Sequence, residues 1–119
     1  MRILYVEDEP TDAQLVDRYI QSTSHDLVIV NNTQAAKAAL EVEENTPDLL
    51  MVDVLIGHAR EGFTFVRELR DQGYAQPIVA VTGLTTAYDL EQCHQSGFNE
   101  VLGKPYTIQQ LAEMIERHA

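Results

Sequence analysis

Five short apolar runs constrain the fold of this chain more than any other feature of its sequence. Four of the runs are apolar at successive positions, at residues 3–6, 27–30, 49–52 and 78–81, and a weaker fifth run covers residues 100–102. A strand with apolar side chains on both faces is typical of a parallel sheet that helices cover on both sides. The runs therefore predict five strands, most of them fully buried.

Amphipathic stretches separate these runs. Three of the stretches carry apolar residues at helical spacing: Leu15, Val16, Tyr19 and Ile20; Phe63, Val66 and Leu69; and Ile108, Leu111, Ala112 and Ile115. Because strand and helix patterns alternate five times, we expect an α/β fold with a five-stranded parallel sheet and helices on both faces. We also expect Thr33 and Thr107 to be the N-caps of the second and fifth helices, and Gly97 to close the fourth.

Length and charge narrow the classes of function. A chain of 119 residues is long enough for one core. Eight Lys and Arg residues against 19 Asp and Glu residues give a formal net charge of −11, which repels a phosphate-rich polymer, so direct nucleic-acid binding is not expected. The apolar runs are too short to cross a bilayer, so membrane insertion is not expected. The single cysteine, Cys93, fits a reduced, cytoplasmic setting.

Polar residues follow four of the five apolar runs: Glu7 and Asp8 after the first, Asp53 after the third, Thr82 after the fourth and Lys104 after the fifth. In an open parallel sheet, ligands bind at the carboxyl ends of the strands, so we expect these side chains at one edge. Converging carboxylates repel one another, and a hard cation such as Mg²⁺ relieves that repulsion. A lysine at the same edge suits a phosphate group.

The residues at these strand ends resemble the conserved set of the response-regulator receiver domain: Glu7-Asp8, Asp53, Thr82 and Lys104-Pro105. The resemblance extends over the whole chain, with the motifs in order and one at each expected strand end. It is closest to single-domain receivers of the chemotaxis-regulator type. It implies the flavodoxin-like strand order 2-1-3-4-5 and a single receiver domain over residues 1–119 with no output domain.

The resemblance also implies an acceptor and a metal site. Asp53 would be the phosphoacceptor, attacking a phosphohistidine on a partner. Asp8 would ligate Mg²⁺ directly, and Glu7 would do so directly or through water. The carboxylate of Asp53 and the backbone carbonyl of Leu55 would complete the protein ligands. Positioning and cation charge would supply most of the catalysis, as they do in phosphoryl transfer generally.

Two further site residues and the partners follow from the same resemblance. Thr82 would donate to one phosphoryl oxygen and Lys104 would pair with another. The donor would be a sensor histidine kinase or a histidine phosphotransfer protein of a two-component phosphorelay. The signal would pass to a downstream protein by contact, or the group would be transferred onward. The chain would catalyse only its own phosphorylation and dephosphorylation, so it would not be an enzyme in the usual sense.

Four features depart from the family pattern. Val101 lies three residues before Lys104, where the family usually has an aromatic side chain that turns inward on phosphorylation. The loop at residues 54–61 is longer than usual. Gly57 replaces a common proline and Gly83 replaces a common alanine, which predicts looser loops at both positions.

Two alternatives remain open at this point. A degenerate receiver would bind partners without phosphorylation; Val101 favours it, and the intact acceptor, acids and lysine oppose it. A small flavodoxin-like or phosphatase-like hydrolase would need a general acid or base near Asp53 and a substrate pocket, and the sequence offers no evident candidate. His58 and Arg60 lie in the loop after Asp53, and solvated loop residues are the favoured interpretation of both.

Overall fold

A computed structural model of the chain describes residues 1–57 and 60–119. The described part forms five strands: β1 (Arg2–Val6), β2 (Asp26–Val30), β3 (Leu49–Val52), β4 (Ile78–Thr82) and β5 (Glu100–Gly103). It forms five α-helices: α1 (Pro10–Gln21), α2 (Thr33–Leu40), α3 (Glu61–Asp71), α4 (Ala87–Ser96) and α5 (Ile108–His118). A short 3₁₀ helix, Glu43–Asn45, precedes β3. Each predicted apolar run falls within a strand and matches its bounds to within one residue.

The strands form one parallel sheet in the order β2-β1-β3-β4-β5. The predicted α/β class and strand order are therefore confirmed. β1 lies between β2 and β3, and Ile3 is paired with Leu27 on one side and with Leu49 on the other. This order places the carboxyl ends of β1, β3 and β4 side by side, with β5 next to β4.

The strand residues alternate between two apolar layers, because successive side chains of a strand point to opposite faces. One layer joins the sheet to α2, α3 and α4, with strand residues Leu4, Val6, Leu50, Val52, Ile78 and Ala80. The other joins the sheet to α1 and α5, with strand residues Ile3, Tyr5, Leu49, Met51, Val79 and Val81. We call these the α3/α4 layer and the α1/α5 layer. β1, β3 and β4 are buried on both faces, as their continuous apolar sequence predicted. The edge strand β2 is not, although its run is equally apolar: Val28 is 57% exposed, because no strand lies beyond β2 in the sheet.

The N-caps of α2 and α5 are set by the residues at the start of each helix. Thr107 caps α5 as predicted, and its side chain and that of Gln110 form a reciprocal capping box. The prediction for α2 is wrong: Thr33 is the first helical residue, and Asn32 is the N-cap. The Asn32 side chain accepts a hydrogen bond from the backbone N–H of Ala35 at 2.7 Å. Asparagine caps at least as well as threonine, so the cap moves one residue earlier.

Of two other helix predictions, the one for the end of α4 is confirmed and the one for α5 is only partly correct. Gly97 ends α4 in the left-handed conformation, with φ of 109°, as predicted. In α5, Leu111 and Ile115 are buried, but Ile108 is exposed because it is the first residue of the helix, and Met114 is buried instead. No α-helix in the described part of the chain is long and apolar enough to span a membrane.

Candidate functional site

The backbone at the site is held by sheet hydrogen bonds that continue past the strand ends. The N–H of Glu7 donates to the carbonyl of Val30 at 2.9 Å, and the N–H of Asp53 donates to the carbonyl of Val6 at 3.0 Å. The N–H of Lys104 donates to the carbonyl of Thr82 at 2.8 Å. The functional side chains therefore begin from rigid backbone.

Three of the predicted residues form a carboxylate cluster. Glu7, Asp8 and Asp53 each offer an oxygen that lies within 4.8 Å of the others. Glu7 is 2% exposed and Asp53 is 7% exposed, whereas Asp8 is exposed to solvent. The cluster thus has a buried side, formed by two strand ends, and an open side at Asp8.

Lys104 reaches the same cluster from β5. Its ammonium lies 2.6 Å from Glu7 Oε1, 3.2 Å from Asp53 Oδ2 and 2.8 Å from Asp12 Oδ2. Burial by itself would lower the pKa of Lys104, but the hydrogen bonds to Asp12 and Glu7 outweigh it and raise the pKa. The ammonium is therefore charged, and it is shared among three carboxylates.

Glu7 has the most perturbed carboxyl group of the site. Burial and the neighbouring Asp53 carboxylate raise the pKa of Glu7 to about 7, against the lowering effect of Lys104 and Tyr5. The Tyr5 hydroxyl donates to Glu7 Oε1 at 2.8 Å. Burial, followed by the charge of Glu7, raises the pKa of Tyr5, so the hydroxyl stays protonated and acts as a donor.

Asp53 and Thr82 are oriented in the same way by the backbone that follows them. The N–H of Leu55 donates to Asp53 Oδ1 at 3.0 Å, and the N–H of Leu84 donates to Thr82 Oγ1 at 3.1 Å. Because the Thr82 oxygen accepts that bond, the hydroxyl proton remains available to donate elsewhere. Leu55, two residues after Asp53, is 46% exposed.

The loop after Asp53 is tied to the carboxylate cluster through Gly57. The N–H of Gly57 donates to Asp8 Oδ2 at 3.2 Å. Gly57 has φ of 67°, and a Cβ there would overlap the Glu61 carboxylate, so the turn requires glycine. The proline that is common in the family at this position has a fixed negative φ and no N–H, and it fits neither feature.

For His58 and Arg60, in the loop after Asp53, the sequence favours solvated side chains. Arg60 is about half-exposed and lies 3.5 Å from Asp89 in the first turn of α4, so it forms an ion pair rather than standing free in solvent. Asp89 itself is buried and belongs to the capping box of α4. His58 lies outside the described residues.

Two residues of the site were missed from the sequence. Tyr5 is two residues before Glu7. Because residues two apart in a strand point to the same face, this spacing indicates from the sequence alone that the two side chains are neighbours. Asp12 is in the first turn of α1, four residues after Asp8, but nothing local to it indicates that Lys104 would reach it. Neither residue follows the end of a strand, which is where the sequence pattern predicts the site: Tyr5 lies within β1 and Asp12 in α1.

The residues present fit a hard divalent cation. Three carboxylates, those of Glu7, Asp12 and Asp53, contact one ammonium, and Asp8 lies beside them, so carboxyl groups outnumber the cation at the site. Oxygen ligands of this kind suit Mg²⁺, which uses one or two carboxylates together with water and phosphate oxygens. The exposed side of the cluster, at Asp8, leaves room for those other ligands.

Comparison with known proteins identifies the class of domain. The family model of the response regulator receiver domain matches residues 3–116. The sensor histidine kinase GacS of Pseudomonas protegens is 30% identical over 118 residues, covering 96% of this chain and 13% of the kinase. DctR of Halalkalibacterium halodurans, a probable C4-dicarboxylate response regulator, is 21% identical over 118 residues, covering 99% of this chain and 51% of the relative. The chain thus spans only half the length of that response regulator.

Solved structures agree with these matches. The BeF₃-activated N-terminal receiver domain of RstA from Klebsiella pneumoniae superposes with a TM-score of 0.87 at 25% identity, covering 99% of this chain and 97% of that one. The receiver domain of a sensor histidine kinase from Pseudomonas aeruginosa superposes with a TM-score of 0.81 at 28% identity, covering 98% and 94%. The latter structure has a magnesium ion coordinated in its active site cleft.

Proposed function

The chain belongs to the response regulator receiver domain family, whose members are phosphoacceptor domains of two-component and phosphorelay systems, and on that premise we propose that Asp53 is its phosphoacceptor. The observation that carries the proposal is the environment of the Asp53 carboxylate. One oxygen accepts the Leu55 N–H and the other faces the Lys104 ammonium, at the end of a fully buried strand. The carboxylate is thus held in a fixed orientation beside the exposed Asp8.

The proposed reaction is an in-line displacement. An Asp53 carboxylate oxygen attacks the phosphorus of a phosphohistidine, the new P–O bond forms and the P–N bond breaks. The imidazole leaves with the electron pair of the P–N bond and, protonated on its other nitrogen, departs as a neutral ring. The transition state is loose, so the protein contributes positioning and charge rather than acid–base chemistry.

Mg²⁺ is the proposed cofactor. Glu7, Asp8 and Asp53, with the backbone carbonyl of Leu55, are the residues that would hold it. When bound, Mg²⁺ neutralises negative charge on the phosphoryl group and on the surrounding carboxylates. The chain itself orients the carboxylates, through Tyr5, Lys104 and the N–H groups of the neighbouring loops.

Lys104 and Thr82 are proposed to bind the transferred group. The Lys104 ammonium lies 3.2 Å from Asp53 Oδ2. It can therefore form an ion pair with an oxygen of a phosphoryl group that is bonded to Asp53. Thr82 is fully buried at the end of β4 and holds a free hydroxyl proton. A phosphoryl oxygen would give that proton an acceptor.

The partners follow from the reaction. A sensor histidine kinase or a histidine phosphotransfer protein would supply the phosphoryl group, in the cytoplasm, and a downstream protein would read the phosphorylated surface or receive the group. The chain would catalyse only its own phosphorylation and dephosphorylation. A degenerate receiver is not favoured, because the acceptor, the acids and the lysine are all present and in contact.

The test is phosphorylation by a small acyl phosphate. We expect the protein to gain one phosphoryl group from acetyl phosphate in the presence of Mg²⁺, measured as intact mass, and to gain none in excess EDTA. Asp53→Asn should abolish the gain while circular dichroism shows the fold unchanged. Undiminished phosphorylation of Asp53→Asn would contradict the assignment of the acceptor.

A further inference from the structure

The Tyr5 hydroxyl is a buried polar group that bonds to Glu7 and to no other residue in the described ranges 1–57 and 60–119. Tyr5 is fully buried in the α1/α5 layer, and its hydroxyl donates to Glu7 Oε1 at 2.8 Å. The two residues are on the same side of the sheet because they are two positions apart at the end of β1. Burying a hydroxyl costs free energy unless it is hydrogen-bonded, and Glu7 supplies the bond here. A phenylalanine would pack in the layer without that requirement.

The two oxygens of Glu7 have unequal surroundings. Oε1 accepts from both the Tyr5 hydroxyl and the Lys104 ammonium, at 2.8 and 2.6 Å. In the described part of the chain, Oε2 accepts from no side chain and has a long contact of 3.5 Å from the backbone N–H of Glu9, while the Glu7 carboxyl group as a whole is also close enough to Asp53 to interact with it. Oε2 is therefore the oxygen with lone pairs available to a cation.

Tyr5 and Lys104 differ as anchors of Glu7. A cation that binds the cluster repels the Lys104 ammonium and competes with it for the same oxygens. The Tyr5 hydroxyl is neutral, so its bond to Oε1 persists when a cation arrives. Glutamate also has one more rotatable bond than aspartate, and an unanchored side chain would lose that freedom on binding.

We propose that Tyr5 is a positioning residue of the metal site: its hydroxyl fixes Oε1 of Glu7 and thereby presents Oε2 to the cation. This inference rests on the Mg²⁺ site of the proposed function. Tyr5 touches neither the cation nor the phosphoryl group, and it acts only through Glu7. Removal of the Tyr5 hydroxyl should therefore weaken the binding of Mg²⁺, in addition to any effect on the packing of the core.

Thermal melts at increasing Mg²⁺ concentration test the proposal, with Tyr5→Phe compared with Tyr19→Phe. Tyr19 packs against the same apolar layer from α1, and its hydroxyl does not contact Glu7. A ligand that binds the folded state raises the melting temperature, and the concentration dependence gives its affinity. We expect Tyr5→Phe to raise the dissociation constant for Mg²⁺ obtained from the melts by roughly five- to tenfold, the size of one net hydrogen bond. Tyr19→Phe should leave it unchanged.

A second comparison shows whether Tyr5 acts through Glu7. In Glu7→Asp the carboxylate is withdrawn by one methylene, so the Tyr5 hydroxyl loses its partner. Adding Tyr5→Phe to Glu7→Asp should therefore change Mg²⁺ affinity little, and the two substitutions should be non-additive. Additive losses of affinity would overturn the proposal.

The outcomes distinguish this inference from the metal site itself. If Tyr5→Phe lowers the melting temperature equally at every Mg²⁺ concentration, the hydroxyl is only structural and the inference is wrong, while the Mg²⁺ site stands. If the unaltered protein itself shows no Mg²⁺-dependent rise, or if Asp8→Ala retains the full rise, the metal site is wrong and the inference fails with it.

Discussion

The ammonium of Lys104 lies 2.8 Å from a carboxylate oxygen of Asp12, which belongs to α1 and not to the carboxylate cluster of Glu7, Asp8 and Asp53. The same ammonium also contacts Glu7 and Asp53, the two groups for which a cation would compete. Asp12 is therefore the acidic partner that Lys104 can keep when the other two bind a metal ion or a phosphoryl group.

The first prediction follows from this contact. Asp12→Asn should slow phosphorylation by acetyl phosphate at fixed Mg²⁺ by about three- to tenfold, because Lys104 loses its remaining charged partner, a bond worth on the order of 1 kcal/mol. The rate is measured by intact mass over time. Asp17→Asn is the matched control, since Asp17 is on the same helix and contacts Gln21 instead. Equal rates for the two variants would contradict a role for Asp12.

The second prediction concerns pH in the absence of metal. Burial raises the pKa of Glu7 to about 7 in the folded protein, above the ordinary value of 4.5. The folded state then binds more protons than the unfolded state, so Glu7 contributes stability at low pH that is lost as the pH rises through 7. Denaturant unfolding in EDTA gives the free energy of unfolding at each pH for the unaltered protein and for Glu7→Gln, whose side chain cannot titrate. The free energy of the unaltered protein should fall relative to that of the variant as the pH rises toward 7. A pH-independent difference, or one of the opposite sign, would show that Glu7 is not perturbed in this direction.

The third prediction compares two glycines. A Cβ at Gly83 meets no atom within 4 Å, and its φ is not in the left-handed region, whereas a Cβ at Gly62 would lie 2.6 Å from Val54 Cα. Gly83→Ala should stabilise the protein by about 0.4–1 kcal/mol, because it restricts the unfolded chain without straining the folded one. Gly62→Ala should destabilise it. Denaturant unfolding measures both, and a destabilised Gly83→Ala would mean that the loop after β4 needs its glycine.

The fourth prediction concerns the response to phosphorylation. Val101 is half-buried against the α3/α4 layer and paired with Ala80 in the sheet, so it is too short and too constrained to move between exposed and buried positions. A phosphoryl group that bonds to Thr82 should instead shift the loop after β4 and the start of α4. Amide hydrogen exchange of the free and beryllofluoride-bound protein should change mainly in residues 54–62 and 83–95. Large changes at Val101 with a static 83–95 segment would contradict this.

The fold could be predicted from the sequence because the central strands β1, β3 and β4 are buried on both faces, and continuous apolar runs are typical of that environment. The proximity of the candidate site residues could be predicted for a related reason. In a parallel sheet the carboxyl ends of the strands lie at one edge, so Glu7, Asp53 and Lys104 had to be close whatever the details of the loops.

What escaped prediction depended on side-chain reach and on competition between neighbours. Asp12 belongs to the site because the long side chain of Lys104 extends to α1. The two residues are far apart in the sequence, so no local pattern predicts their contact. The cap of α2 was placed at Thr33 because Asn32 and Thr33 are both good caps, and the choice between adjacent caps depends on where the helix begins. The ion pair of Arg60 with Asp89 likewise joins two elements that are distant in sequence.

The most direct test of the central proposal is to locate the phosphoryl group on the chain. After treatment with acetyl phosphate and Mg²⁺, borohydride reduces an aspartyl phosphate to homoserine, and peptide mass spectrometry identifies the position. The account predicts homoserine at position 53, with Asp8 and Asp12 unmodified. Homoserine at position 8 or 12, or phosphoryl transfer with Asp53 unmodified, would contradict it.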